Sequence, residues 1–295
     1  MLGASRRLGY PERMAALRIA VVGHVEHVTL GRADEVPQPG DIIHLRDTRF
    51  LAGGGGGIAF EQICRSDAEV HLFTALGNDE AGRAVEARIQ ASRLAGSVHL
   101  HAARRPVEHP RVVVFIDPEG RRTIVVTQAP LQPAATDALP WSILAGCDAV
   151  YFTGADPESL RLARAARRLV VTARRRLVLQ AAAVAPDVIV GSLQDPRENV
   201  GLDTYDPPPL ALVLTDGPRP IRVLRPAGAA SVEPPPAPPR TIGDYGAGDS
   251  FAGALTFFLA CGVDLEEACR RAGPYGAAVL GGIDPIEMQR PLVAP

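Results

Sequence analysis

The chain alternates short apolar runs with longer stretches of mixed polarity. Arg18–Gly23, Val70–Leu76, Ala149–Thr153, Leu177–Gln180, Val188–Val190 and Leu210–Thr215 are rich in β-branched residues and bounded by turn formers. Runs of that kind read as strands covered on both faces, as in a parallel sheet. Helical spacing follows in Ile58–Cys64, from Gly82 to about Arg93, in an Arg-rich stretch from about Pro157, in Asp249–Ala260 and from Leu265 to about Leu280. The alternation predicts an α/β fold in three layers, a mostly parallel sheet with helices on both faces. Two stretches do not fit that layering. Asp41–Phe50 alternates loosely, and Arg111–Asp117 and Arg122–Thr127 flank Asp117-Pro-Glu-Gly120, a hairpin turn. They predict a small separate β-sheet lid. The expected organisation is a loose extension over residues 1–17, with Met14 a candidate start, then one domain over 18–290 with lid segments at about 28–52 and 99–128. Pro234–Pro239 should be an extended surface segment.

Composition narrows the function more than the fold. A chain of 295 residues with 46% hydrophobic content can bury one substantial core. A net charge of −2 gives no bias toward nucleic acid or membrane surfaces, and no apolar run approaches the ~20 residues of a membrane span. All 31 basic residues are Arg, which excludes a Schiff-base lysine and the Lys of a Walker P-loop. The abundance of Ala, Gly, Pro and Arg points to a biased composition, so Arg clusters carry little weight on their own. Cys64, Cys147, Cys261 and Cys269 show no metal-ligand spacing and read as reduced core thiols of a cytoplasmic protein. His99 and His101 share a strand face, but without a third ligand nearby in sequence they do not make a metal site.

The candidate chemistry lies in Thr241–Leu255, Thr-Ile-Gly-Asp-Tyr-Gly-Ala-Gly-Asp-Ser-Phe-Ala-Gly-Ala-Leu. Gly246 and Gly248 let the backbone approach whatever sits before it, and the helix that starts there presents unpaired N–H groups and the positive end of its dipole. Asp249 stands at the mouth of that anion site. As a mere helix cap it would be ordinary. As a base that takes a proton from an attacking hydroxyl, its place beside a phosphoryl site makes chemical sense.

Gly-Ala-Gly-Asp-Ser-Phe resembles the C-terminal signature of the ribokinase-like (PfkB) family of carbohydrate and nucleoside kinases. The first strand and its Gly, the Pro37-Gln-Pro-Gly40 turn, the pentaglycine Gly53–Gly57 and Gly77-Asn-Asp-Glu-Ala-Gly82 follow that family's order. The pentaglycine lies about thirty residues beyond the first strand, too far for a dinucleotide fingerprint. The resemblance covers about residues 18–283. It implies a ribokinase-like α/β/α core with a β lid, and ATP-dependent phosphorylation of a hydroxyl on a small molecule. Asp249 would be the base and Gly246, Ala247 and Gly248 the anion hole. Thr215, Asp216 and Gly217, in Leu214-Thr-Asp-Gly217, would lie against the nucleotide. Gly53 and Gly54 would let the backbone approach the sugar. Ser192-Leu-Gln-Asp195 stands where the family has Asn-x-x-Glu, which helps organise Mg2+ and its waters, so Asp195, with Glu198 as stand-in, would serve the metal. Asp244 would serve a monovalent cation such as K+, although it is displaced by one residue from the family's pattern.

The acceptor side departs from the family. Val28 stands where sugar kinases carry an Asp that binds sugar hydroxyls, and Ile58 where they carry an Asn. A hydroxyl left without its partner costs about 1–3 kcal/mol. The expectation is therefore an apolar wall of Val28 and Ile58 under the lid, with Glu26 or His27 as substitutes. A carbohydrate or derivative is the first reading of the acceptor. A nucleoside kinase of the same fold and a non-catalytic ligand-binding relative are the alternatives. The resemblance also implies a homodimer through the lid.

Overall fold

The computed structural model describes residues 16–92, 97–236 and 238–295. Most of the expected N-terminal extension, and Arg93 at the end of one expected helix, lie outside these. The strands are β1 (Arg18–Val22), β2 (Glu26–Arg32), β3 (Arg46–Gly53), β4 (Glu69–Gly77), β5 (Val98–Arg105), β6 (Arg111–Ile116), β7 (Arg122–Val126), β8 (Ala149–Phe152), β9 (Leu169–Thr172), β10 (Val188–Ser192), β11 (Ala211–Asp216), β12 (Arg219–Arg225) and β13 (Gly228–Val232). The helices are α1 (Gly54–Ile63), α2 (Glu80–Gln90), α3 (Pro157–Ala163), α4 (Arg176–Ala182), α5 (Ala247–Ala260), α6 (Leu265–Val279) and α7 (Pro285–Met288).

Nine strands form the main sheet in the order β13-β12-β11-β10-β9-β8-β1-β4-β5. It is parallel from β11 to β5 and antiparallel at β12 and β13. Successive residues of one strand feed opposite faces. Ile19 and Val21 join the core beneath α1, α2, α5 and α6, while Ala20 and Val22 join the one beneath α3 and α4. That two-sided burial is why the strands are apolar throughout. α5 is buried almost all round, from Ser250 to Ala260, and lies between α1, α6 and the sheet. Its composition follows, because a helix apolar on all sides must be enclosed.

Four strands make the separate lid sheet, ordered β3-β2-β6-β7. Val28, Leu30, Leu51, Val112, Val114 and Ile116 face inward from it and pack on Ile58, Tyr245 and Ile286 of the core. Three expectations need correction. Residues 98–105 are not lid: β5 is the edge strand of the main sheet, paired with β4 from Val70–Val98 to Gly77–Arg105. Its polar alternation comes from lying at an edge. Leu177–Gln180 is within α4 rather than a strand, since a four-residue apolar run does not specify its own period. The helix expected from Ile58 begins four residues earlier, inside the glycines.

Among the described residues no helix is long and apolar enough to cross a membrane.

Candidate active site

β1 ends at Val22 and β3 runs straight into α1, so the pentaglycine lies at the C-terminal edge of the sheet, beneath the lid. Gly54 has φ +77°, a left-handed conformation that turns the strand into the helix. Its N–H points to Tyr245 Oη at 3.4 Å, a contact spanning 191 residues of sequence. A methyl group placed on Gly55 would stand 3.2 Å from Asp249 Oδ1 and 3.4 Å from Thr153 Oγ1. The fold thus brings the two glycine stretches face to face, with the Asp249 carboxylate between them.

Gly246 caps α5 at φ +80°, and no side chain caps this end. The first helical bond runs from Ser250 N–H to the Gly246 carbonyl at 2.9 Å. By helix geometry the N–H groups of Gly246, Ala247, Gly248 and Asp249 are left without intrahelical partners. A side chain at Gly248 would meet nothing within 4 Å, so the space before the helix is open.

The electrostatics divide the acids into two kinds. Burial pushes the Asp249 carboxyl up to about 6; Arg174 and Arg122 pull it down and Glu198 pushes it up, while no hydrogen bond contributes. Burial, with Asp249 nearby, pushes Glu26 up to about 7. Glu26 is 8% exposed, and its side chain lies against Gly54 with His24 Nε2 at 3.9 Å. Burial and the charges of Arg175 and Arg174 hold His24 down at about 3, so it is a neutral imidazole. By contrast Asp195, hydrogen-bonded to Arg197 and close to Arg174, is held down at about 2.

The residues expected to lie against a nucleotide gather at the ends of β10 and β11. Thr215 donates to the Gly191 carbonyl at 3.2 Å, and Gly217 turns at φ +58° against Gln194. Asp216 is clamped by Arg219 at 2.6 and 2.7 Å, which shapes the turn and leaves its carboxylate engaged.

Several expected roles meet a different arrangement. A directly bound Mg2+ needs free oxygens on hard carboxylates. Arg174 binds both Glu198 and Asp195, Arg197 takes the remaining face of Asp195, and Ser192 N–H occupies Glu198 Oε2 at 2.9 Å. That donor set does not fit direct coordination of the cation, and leaves the ordering of its waters as the role these residues could serve. Asp244 likewise accepts from Arg122 N–H at 3.0 Å and Arg122 Nη1 at 2.6 Å, clipping β7 of the lid to the core instead of offering itself to K+. Val28 and Ile58 do meet, but both are 0% exposed inside the lid core. They present no wall to an acceptor. His27 alternates to the opposite lid face, where its ring lies 4.3 Å from Phe50.

His24, Arg122, Thr153, Arg174, Arg175 and Tyr245 belong to this site and were not singled out by sequence. The run Arg174-Arg175-Arg176 was the available signal, masked by an Arg-rich composition.

Residues 209–290 match the family model described as pfkB family carbohydrate kinase. No curated protein matches the chain. Among solved structures, a putative ribokinase from Agrobacterium tumefaciens superimposes with a TM-score of 0.77 at 19% identity, covering 94% of this chain and 95% of that one. Adenosine kinase from Sinorhizobium meliloti gives 0.73 at 18%, covering 95% and 97%. Arabidopsis thaliana ribokinase, solved with ribose and ATP, gives 0.73 at 15%, covering 94% and 96%. The chain has the ribokinase-like α/β fold, and in its C-terminal motif region it is similar to the PfkB-type carbohydrate and nucleoside kinases.

Proposed function

We propose that the protein transfers the γ-phosphoryl group of ATP to a hydroxyl of a small polar molecule, a carbohydrate or a derivative of one. The observation that carries this reading is the Asp249 carboxylate, set at an uncapped helix N-terminus and facing Gly55. A group meant only to bind phosphate gains nothing from a carboxylate there, whereas a phosphoryl transfer to a hydroxyl needs a base.

Asp249 takes the acceptor's hydroxyl proton as that oxygen forms its bond to the γ-phosphorus. The bond from the γ-phosphorus to the β–γ bridging oxygen breaks, and ADP leaves. The free N–H groups of Gly246, Ala247 and Gly248 hold the oxygens of the transferring group, where one such donor contributes about 3 kcal/mol. The chain at Thr215 and Gly217 lies along the nucleotide. Glu26 takes over the acceptor role that Val28 cannot fill: its carboxyl lies beside Gly54 and accepts from a second hydroxyl of the substrate. Gly53 and Gly54 admit the acceptor close to the backbone. The lid excludes water, so that the acceptor rather than solvent receives the phosphoryl group. Exposed Phe50, Ile124, Val125 and Val126 on the lid support pairing of two copies through it, which sedimentation at micromolar concentration distinguishes from a monomer.

The test is acceptor-dependent ADP release, with thermal shift, across sugars, sugar phosphates and nucleosides. A hydroxylated sugar that drives ADP release supports the reading. A preference for nucleosides moves the acceptor class, and ATP turnover with no acceptor in the panel overturns the transferase assignment.

A further inference from the structure

At the far end of the sheet from this site, β4 begins with Glu69 and runs beside β5, the edge strand. The parallel register sets His71 opposite His99 and Phe73 opposite His101. Glu69 and His71, two apart on one strand, share a face with His99 across the pair. Glu69 Oε1 lies 3.0 Å from His71 Nε2 and 3.8 Å from His99 Nε2. One donor atom from each of the three residues lies within 4.8 Å of the others. In tetrahedral coordination with bonds of about 2.0–2.1 Å, neighbouring donors stand roughly 3.3 Å apart. The spacing already present brackets that value.

The surroundings fit a ligand set as well. His71 Nδ1 lies 3.0 Å from His101 Nε2. With the proton on His71 Nδ1, His101 accepts it, and the Nε2 lone pair of His71 is turned toward Glu69 and His99. Outer hydrogen bonds of this kind fix the tautomer of a ligating imidazole. Arg18 holds the other carboxylate oxygen, Glu69 Oε2, at 3.0 Å, leaving Oε1 for the ion. His71 is buried and His99 half-exposed, so one side of the cluster is pinned and the other opens to solvent for entry and for a water as fourth ligand. The His71 and His99 rings lie nearly parallel, centroids 4.7 Å apart, and because an imidazole lone pair lies in the ring plane, co-ligation turns the exposed His99 ring about its side-chain bonds toward Glu69 Oε1, 3.8 Å from its Nε2.

We infer that Glu69, His71 and His99 form a Zn2+ site that staples the edge strand β5 to β4, with His101 and Arg18 orienting its ligands. Two imidazoles and one carboxylate are a donor set that suits zinc. The site needs neither Asp249 nor the nucleotide end, so it stands whether or not the kinase reading does.

The experiment uses the full chain without a histidine tag, stripped of metal and titrated with Zn2+ against a chromogenic chelator. One equivalent should bind at micromolar affinity or tighter and raise the melting temperature, as a ligand specific to the folded state must. His99→Ala should weaken binding roughly a hundredfold and abolish the zinc-dependent rise, without changing the metal-free melting temperature. His44→Ala, at an exposed histidine elsewhere, should change neither. Glu69→Gln should also lose the site, and Asp249→Asn should keep it. Absence of tight binding to the wild-type chain, or undiminished binding by His99→Ala, overturns the proposal.

Discussion

The carboxylates at the C-terminal edge of the sheet fall into two groups that the fold treats in opposite ways. Toward the nucleotide end, Asp195 and Asp216 are saturated by Arg197, Arg174 and Arg219, and their pKa values are held below the usual carboxylate range. Beside the two facing glycine stretches, Asp249, partly exposed, and Glu26, buried, lack such partners, and theirs are raised. The first group shapes turns. The second has the raised pKa values that the proposed proton transfer and acceptor contact call for, and perturbed groups of that kind cluster at functional sites.

The two groups also act on stability with opposite sign. A depressed carboxylate such as Asp195 contributes stability that is present above its unfolded pKa and lost as the pH falls toward about 2. For Asp249 the folded state holds its proton more tightly than the unfolded chain. Its contribution is therefore favourable at low pH and turns unfavourable as the pH rises from about 4 through about 6.

Substitutions can break this contrast directly. Asp249→Asn should lower kcat by roughly 10²–10⁴-fold, the range of a lost general base, while raising the melting temperature more at pH 8 than at pH 5. Near-wild-type turnover would remove Asp249 from the chemistry, and the same change in melting temperature at both pH values would show that its carboxyl is not titrating as a buried acid.

Next in size is the helix terminus beside it. Ala247 is the first residue of α5, so Ala247→Pro removes one N–H donor; because proline crowds a preceding residue held at ψ 1°, as Gly246 is, circular dichroism and the melting temperature establish that the variant is folded before kcat is read. About 3 kcal/mol of transition-state stabilisation, roughly a hundredfold in kcat, should be lost. A folded variant with unchanged kcat would remove these N–H groups from the mechanism.

Glu26→Gln sharpens the comparison on the acceptor side. At pH 8, above its pKa of about 7, Glu26 is charged, and a hydrogen bond to a charged group contributes about 1.5–3 kcal/mol, so kcat/KM for the acceptor should there fall roughly 10- to 100-fold while KM for ATP stays constant. Equal changes for both substrates would place Glu26 outside the acceptor pocket.

The smallest effect is a shift in a pH profile. kcat/KM should fall on the acid side with an apparent pKa near 6, because Asp249 must be ionised to act as base. Arg174 draws that pKa down, and it also neutralises Glu198, which pushes it up. Arg174→Gln should therefore move the acid limb to higher pH; a limb that stays put, or moves down, would detach the arginine-saturated end from the base.

Much of the architecture was legible because it rests on local rules. Strands buried on both faces must be apolar, so β1, β4, β8, β10 and β11 stand out, and the Asp117–Gly120 turn announces the β6–β7 hairpin. α4 was misread because Leu177–Gln180 is too short to show a helical period. β5 was assigned to the lid because its polar, histidine-rich alternation describes an exposed edge equally well on either sheet. β9, no shorter than β8, is not marked off in sequence because arginines rather than turn formers flank it on both sides.

By itself the sequence determined the parallel α/β core, the lid hairpin, and the glycine turn that sets Asp249 at a helix start. These follow from backbone freedom, side-chain period and helix-end geometry, all properties of neighbouring residues. Tertiary structure alone decided which charges remain unpaired. Arg174 reaches Glu198 and Asp195, Arg122 reaches Asp244, Tyr245 meets Gly54 across 191 residues, and Val28 and Ile58 vanish into the lid core while Glu26 stays beside the glycines. Pairing and desolvation depend on distances through space, and neither is written in the spacing along the chain.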